Sequence, residues 1–378
     1  MKKSRQKRNN ISDRVRNINY SVIRKAFSGG SKKGIINLTI GQPDFETPDY
    51  LKVAAQRAIE QGYNKYTETK GLLDLRQAIS KKLFSEKVAR TEEEIIITAG
   101  TTSAIFMTLF SLINPDDEVV VFSPYFIAYL EIINFLGGRA KIVKTDRNFQ
   151  PDISKLKKTI SNRTKAIIIN SPNNPTGVVY QKEAIKQIVQ IAEKNDLYII
   201  SDEIYSSLVF GETTCFSPAK IYKKTVVING LSKSNAVTGW RIGFIAGPKQ
   251  IVDAVEKIQQ YTTVCAPSVF QYAAVEAINK PINKKIIDSY QKRRDLIYQN
   301  LKNSFEIIKP DGAFYFFIKI NVSGTSFANL LLEKGVAVVA GEAFGKDFKN
   351  YFRISFAVSE EQINKSVTIL KEVATLLR

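Results

Sequence analysis

Histidine is absent from all 378 residues. That absence removes histidine general bases, histidine metal ligands and Ser-His-Asp arrangements together, and no metal set is expected. Acid–base work near neutral pH falls to a lysine, a tyrosine, a carboxylate or a bound cofactor. Cysteine is scarce too: Cys215 and Cys265 lack metal-ligand or CxxC spacing and read as small core or pocket residues in a reducing compartment. Long apolar runs are missing, since "AIIIN" and "LYIIS" are strand-length and far short of the ~20 residues that span a bilayer. The basic start "MKKSRQKRNN" is followed by polar residues where a signal peptide needs an apolar segment. A cytoplasmic protein with no membrane partner is expected.

What is present is the composition of a folded globular chain, with 44% hydrophobic and 24% charged residues. The length calls for one large domain and one smaller one. The formal net charge of +19 raises a nucleic-acid reading, but the lysines are scattered through "SKKG", "EKVAR", "KLKK" and "KPINKK", as solvated helix faces are. The basic tail Lys2 to Arg8 reads as a loose chain end. No nucleic-acid partner is expected.

Seven β-rich runs lie between Glu94 and Pro248: "EIIITAG", "EVVVFSP", "AKIVKTD", "KAIIINSP", "LYIISDE", "TVVINGLS" and "IGFIAGP". Several are continuously apolar, the pattern of strands covered on both faces. Helical patterns such as "TSAIFMTLFSLIN" and "EAIKQIVQIAEKND" separate most of them, which predicts an α/β fold with a seven-stranded, mostly parallel sheet. After Pro248 long helical segments follow, then a short α+β tail with "GAFYFFIKI" and "YFRISFAV". A boundary near Lys280 gives a large domain 43–280 and a smaller domain 281–378, with residues 1–42 as an arm folding onto the smaller one.

Ligands of open α/β sheets sit beyond the carboxyl ends of the strands. At those ends the sequence puts Gly100, Thr101 and Thr102; Tyr125 and Phe126; Asn173 and Asn174; Asp202, Glu203 and Tyr205; and Ser232 with Lys233. Each has a local reading: Gly-Thr-Thr as a helix cap, "SPNNPTG" as turn formers, Asp202 as a cap, Lys233 as a snorkelling surface charge. Their coincidence at successive strand ends favours chemistry, because caps need no such mix. A helix N-terminus with hydroxyls binds a phosphate, and Arg241 adds a fixed positive charge. Asp202 suits a protonated ring nitrogen, Phe126 offers a stacking face, and a lysine makes a Schiff base with an aldehyde. Phosphate, pyridinium and aldehyde together describe pyridoxal 5′-phosphate.

On these residues the chain resembles the fold-type I, class I/II aminotransferases over nearly its whole length. The most diagnostic match is "SKSNAVTGWRIG", supported in order by "GQPDFETP", "YTETKGLLDLR", "SPNNPTG", "SDEIY", "PDGAFY" and "YFRIS". The resemblance implies that Lys233 forms the Schiff base and shuttles the substrate proton. It implies that Asp202 keeps the ring nitrogen protonated, and that Tyr205 and Asn174 bond the ring phenolate. Gly100, Thr101, Thr102, Ser232 and Arg241 are implied as the phosphate cup, with Gly230 where some members carry a hydroxyl, and Phe126 as the stacking ring. Tyr66 is implied to reach the phosphate of the neighbouring subunit, hence a homodimer with shared sites. Arg353, helped by Asn174 and the backbone of Gly41, is implied to grip the substrate α-carboxylate. Ser234 and Asn235, and alanine in "AGEAFG", depart from the family's commoner residues without removing a catalytic group.

Dicarboxylate-specific members often use a second arginine from the segment after the lysine motif. Here no arginine stands between Arg241 and Arg293, and the matching stretch "QYTTVCAPS" carries Tyr261. That favours an aromatic or neutral L-amino acid as donor to a 2-oxo acid such as 2-oxoglutarate, although lysines such as Lys70 leave aspartate open. The alternatives are a pyridoxal-phosphate-dependent C–S β-lyase and a non-catalytic regulator; the latter needs a DNA-binding domain for which the residues ahead of "LTIGQPDF" are too few.

Overall fold

The computed structural model describes residues 11–376 except 17, 19 and 279, so the basic tail Lys2 to Arg8 lies outside the described residues. Strand β1 (Ile36–Asn37) is followed by β2 (Ile95–Thr98), β3 (Glu118–Ser123), β4 (Arg139–Lys144), β5 (Thr164–Asn170), β6 (Tyr198–Asp202), β7 (Thr225–Gly230) and β8 (Gly243–Ala246). Then come β9 (Glu306–Ile307), β10 (Tyr315–Lys319), β11 (Val336–Ala337), β12 (Val339–Ala340) and β13 (Tyr351–Ser355). The seven apolar runs are β2 to β8, and they form one sheet in the order β2-β8-β7-β6-β5-β3-β4. Only β8 runs against its neighbours, β2 and β7.

Alternate side chains of these strands enter different cores, which is why the runs are apolar without alternation. Ile96, Val119, Val121, Ala166 and Ile168 join one cluster; Ile95 and Ile97 join a second and Val120, Phe122, Ile167 and Ile169 a third. Each valine, isoleucine or phenylalanine among them contributes roughly 1.5–3 kcal/mol by leaving water. The crossover helices Thr101–Leu112, Ala128–Phe135, Ile153–Thr159 and Lys182–Lys194 cover the faces. In the last of these, Ile185, Ile188, Val189 and Ala192 repeat at helical spacing and are the buried stripe. Strand order reverses between β5 and β3, so a crevice opens at their carboxyl ends.

The C-terminal part carries a four-stranded antiparallel sheet, β12-β13-β10-β9, with helices Lys284–Leu301, Gly324–Glu333 and Glu360–Leu376 around one aromatic-rich core. Near the N-terminus, β1 pairs in parallel with β11, Ile36 opposite Val336. Ile23 and Ala26 of the helix Val22–Gly30 pack on a cluster built from Phe149, Phe317, Val339 and Phe344. The same cluster joins a residue following β4 to β10 and β12. Among the described residues no helix is long and apolar enough to cross a membrane.

Candidate active site

Lys233 follows β7 in a turn, and its Nζ donates to the carbonyl of Gly41 and lies 5.9 Å from the centre of the Tyr205 ring. Burial, then the positive charges of Arg241 and Arg353, push its ammonium down to about 8, with Asp202 pulling the other way. A side chain at Gly41 would collide with the Tyr315 hydroxyl, its Cβ falling 2.6 Å away. The backbone there can approach the lysine because it has none.

Asp202 closes β6 and is 4% exposed. One carboxylate oxygen accepts the Tyr129 hydroxyl at 2.6 Å and the other accepts the Ile204 amide at 3.3 Å. Burial raises the Asp202 carboxyl above its ordinary value, against the lowering by Tyr129, the Ile204 amide and Lys233. Asn170, the last residue of β5, donates to the Asp202 carbonyl at 3.1 Å, and its own oxygen accepts the Asn174 amide at 2.8 Å. The ends of two neighbouring strands are thereby tied together. The buried Tyr205 hydroxyl bonds the Tyr315 hydroxyl at 2.8 Å, and burial raises both phenols.

Arg353, in the middle of β13, is 1% exposed. It donates to Asn174 Oδ1 at 2.9 Å and to the Thr39 carbonyl at 2.6 Å, and its guanidinium lies 4.5 Å from the Tyr315 ring centre and 5.0 Å from that of Phe344. Its Nε is buried without a partner, and among the described residues no carboxylate pairs with it. Desolvation lowers the Arg353 guanidinium from its ordinary value.

Gly100 precedes the helix Thr101–Leu112 with φ +88°, and a Cβ there would stand 2.3 Å from a nitrogen of Arg241. Arg241, itself left-handed, donates to the Thr238 carbonyl at 3.0 Å and the Ala99 carbonyl at 3.5 Å. The free N–H groups of the first helical turn and a guanidinium that, among the described residues, is bound only to carbonyls make an electropositive cradle. Thr101 is half-buried, Thr102 exposed and Ser232 buried beside this turn of chain. Phe126, half-buried after β3, meets Tyr129 edge-on at 5.7 Å.

Tyr66 stands apart. It is 82% exposed and lines a cleft of about 710 Å³ with Lys65, Cys265, Pro267 and Ser268, and no described contact joins it to Lys233. Tyr261 is 91% exposed. Lys70 is committed elsewhere: Glu93 at 3.1 Å, Asp253 at 3.6 Å and Glu256 at 3.7 Å surround its ammonium, which leaves little reason for it to bind a substrate carboxylate.

Sequence reasoning missed Tyr129, Tyr315, Asn170 and the Thr39 carbonyl. For Tyr129 a signal existed, since it lies one helical turn beyond Phe126. Tyr315 and Thr39 reach the site from 110 residues beyond Tyr205 and 314 before Arg353, distances that no local pattern encodes.

The family model "aminotransferase class I and II" matches residues 33–370. A probable aspartate aminotransferase from Methanocaldococcus jannaschii is 38% identical, with 96% of this chain and 99% of that protein covered. An aromatic-amino-acid aminotransferase from Thermococcus litoralis is 35% identical over 96% of this chain and 98% of its own length. Among solved structures, aspartate aminotransferase from Thermus thermophilus with maleate superposes with a TM-score of 0.93 at 35% identity, covering 96% of this chain and 99% of that one. The seven-stranded sheet and these likenesses over almost the full length agree, and the chain belongs to the class I and II aminotransferases, as an amino-acid aminotransferase of fold type I.

Proposed function

We propose that this aminotransferase uses pyridoxal 5′-phosphate held on Lys233 and moves the amino group of an aromatic or neutral L-amino acid to a 2-oxo acid such as 2-oxoglutarate. It works as a cytoplasmic homodimer with sites shared across the interface. The observation that carries this reading is a charge imbalance: the positive charges of Arg241 and Arg353 both bear on Lys233 against the carboxylate of Asp202, and the fully buried Arg353 has no counter-ion among the described residues. Two anions, a phosphate and a carboxylate, fit that imbalance. The Gly100 cradle supports the first, because a Cβ would fill it. The planar fork of Arg353 supports the second, through paired charge-assisted hydrogen bonds.

When bound, pyridoxal phosphate supplies an aldehyde carbon for an amine and an electron sink that acidifies the substrate Cα–H. Asp202, oriented by Tyr129, keeps a proton on the ring nitrogen. Tyr205 and Asn174 bond the ring phenolate oxygen, Phe126 covers the ring, and Thr101, Thr102, Ser232 and Arg241 hold the phosphate. Lys233, with its amine near pH 8, is basic enough to take the proton from Cα and acidic enough to return it. Arg353, Asn174 and the Gly41 backbone orient the α-carboxylate so that this proton faces Lys233. Tyr66 reaches the phosphate of the partner's site. In this reading, for the described residues within each range, 1–42 is the arm, 43–280 the cofactor domain and 281–378 the smaller domain, which brings Arg353 to the crevice.

The donor preference rests on the absence of arginine from 242–292, on Tyr261 and on the ion pairs of Lys70. Visible spectra of the cofactor-loaded protein, recorded with single L-amino acids and no oxo acid, test it. Conversion to the amine form by aromatic or neutral amino acids faster than by aspartate is expected. A clear preference for aspartate would overturn the substrate reading, and pyruvate released from cystathionine with an unchanged spectrum would assign a β-lyase.

A further inference from the structure

We infer that Gln271 is a positioning residue that sets Tyr66 for the neighbouring subunit's site, an inference that rests on the cross-subunit role proposed for Tyr66. In the helix Ser268–Ile278 the buried residues are Gln271, Ala273, Ala274, Ala277 and Ile278, so one amide sits on an otherwise apolar face. Gln271 is fully buried, and both its oxygen and its nitrogen are hydrogen-bonded, with three bonds in all. Its Oε1 accepts the Leu72 amide at 2.9 Å, and its Nε2 donates to Thr67 Oγ1 at 3.0 Å and to the Ala266 carbonyl at 2.8 Å. Thr67 follows Tyr66 directly, and Ala266 belongs to the other wall of the Tyr66 cleft. One side chain therefore fixes both walls of the cleft at once.

The loop between is pressed down as well. Gly71 has φ +89°, and a Cβ on it would lie 2.7 Å from Gln271 Oε1 and 2.4 Å from Ile97. The buried Gln259 donates to the carbonyls of Thr69 at 2.6 Å and Ile97 at 2.9 Å. The segment is thus pinned at residues 67, 69, 70 and 72, whereas the Tyr66 side chain just before it is exposed with no described partner. An apolar side chain would fill the Gln271 site at lower desolvation cost if packing alone were needed. Buried amides with every group satisfied rigidify what they bridge, and the bridged object here is the outward-facing tyrosine.

Titration of the apoprotein with pyridoxal 5′-phosphate, read by the visible absorbance of the bound cofactor, provides the test. Tyr66→Phe should weaken binding about tenfold, the size of one lost hydrogen bond to a charged group. Gln271→Leu should weaken it several-fold, and so should Thr67→Val, which removes the Gln271 bond from the half-buried side together with the hydroxyl's own bond to the Glu68 carbonyl, and stands in should Gln271→Leu fail to fold. Neither should weaken it further when Tyr66 is already Phe. Hybrid dimers give the second readout: a Gln271→Leu subunit paired with a Lys233→Ala subunit keeps one competent lysine, whose Tyr66 comes from the intact loop of the other subunit, so its affinity should return to the wild-type value. Unchanged affinity in Tyr66→Phe would remove the cross-subunit role itself. Weakened affinity in Tyr66→Phe together with wild-type affinity in both loop variants, additive effects, or no rescue in the hybrid would overturn the role of Gln271 alone.

Discussion

Lys233 is tuned by its surroundings rather than by its sequence neighbours. With the amine at about 8, roughly a tenth of it is neutral at pH 7, against about one part in three thousand at the ordinary value of 10.5. Uptake of pyridoxal phosphate by the apoprotein should rise with pH through a midpoint near 8 and level off above about 9, as a stopped-flow series would show; a midpoint near 10 would contradict the tuning. Linkage gives a companion effect. The folded amine binds its proton less tightly than the unfolded one, so between pH 8 and 10.5 the unfolded chain holds more protons and apoprotein stability rises. Lys233→Met should remove that rise and, by deleting a buried charge, stabilise the apoprotein at pH 7 by about 1–3 kcal/mol in urea unfolding. Arg353→Lys should cost roughly 10- to 100-fold in amino acid affinity with cofactor retained, because an ammonium cannot make the paired contact. Loss of cofactor instead would move Arg353 out of the substrate's reach. Lys233, Asp202, Asn174, Tyr205 and Arg353 were legible because each sits at a strand end or in a motif of unusual chemistry. Tyr129, Tyr315 and Gln271 were not: a tyrosine or glutamine within an apolar helix or strand looks like packing until the fold brings its partner from afar.

All seven strands of the main sheet were legible as β-branched runs, and so were the helices that follow most of them. Their order was not, because each pairing depends on which crossover packs over which face. The reversed direction of β8 has a local cause: residues 231–242 hold the lysine turn and only a short 3₁₀ turn, Thr238–Trp240, where a parallel return needs a helix or a comparably long crossover. The two-residue pairing of β1 with β11 carried no signal because it is too short to show a period. On the open edge, β4 exposes Arg139 and Lys144, with Lys141 half-buried between them, charges that discourage a further strand from adding there. At the opposite end of the architecture, the turn from β2 into its helix depends on Gly100. Gly100→Ala combines a left-handed backbone with a 2.3 Å approach to Arg241, so it should cost about 1–2 kcal/mol of stability and more than tenfold in cofactor affinity. Calorimetry and cofactor titration would measure the two parts separately; wild-type cofactor affinity would mean that the phosphate lies elsewhere.

At the scale of the whole molecule, charged and aromatic side chains meet the solvent differently. The lysines behind the +19 charge are scattered and largely solvated or paired, whereas Tyr66 is an exposed aromatic side chain that a second copy is proposed to cover. A single chain's sequence could suggest that sharing only through resemblance, since the complementary surface lies on another copy. The crevice itself depends on the entire chain: Gly41 from the N-terminal segment, Lys233 and Asp202 from the large sheet, and Arg353 from the C-terminal sheet meet within it. One lysine in this lysine-rich chain is proposed to carry the cofactor. Borohydride reduction of the pyridoxal-phosphate-loaded protein, followed by peptide mapping by mass spectrometry, tests it directly. A single pyridoxyl-phosphate adduct on Lys233 is expected; an adduct at another lysine, or none at Lys233, would mean that Lys233 does not hold the cofactor.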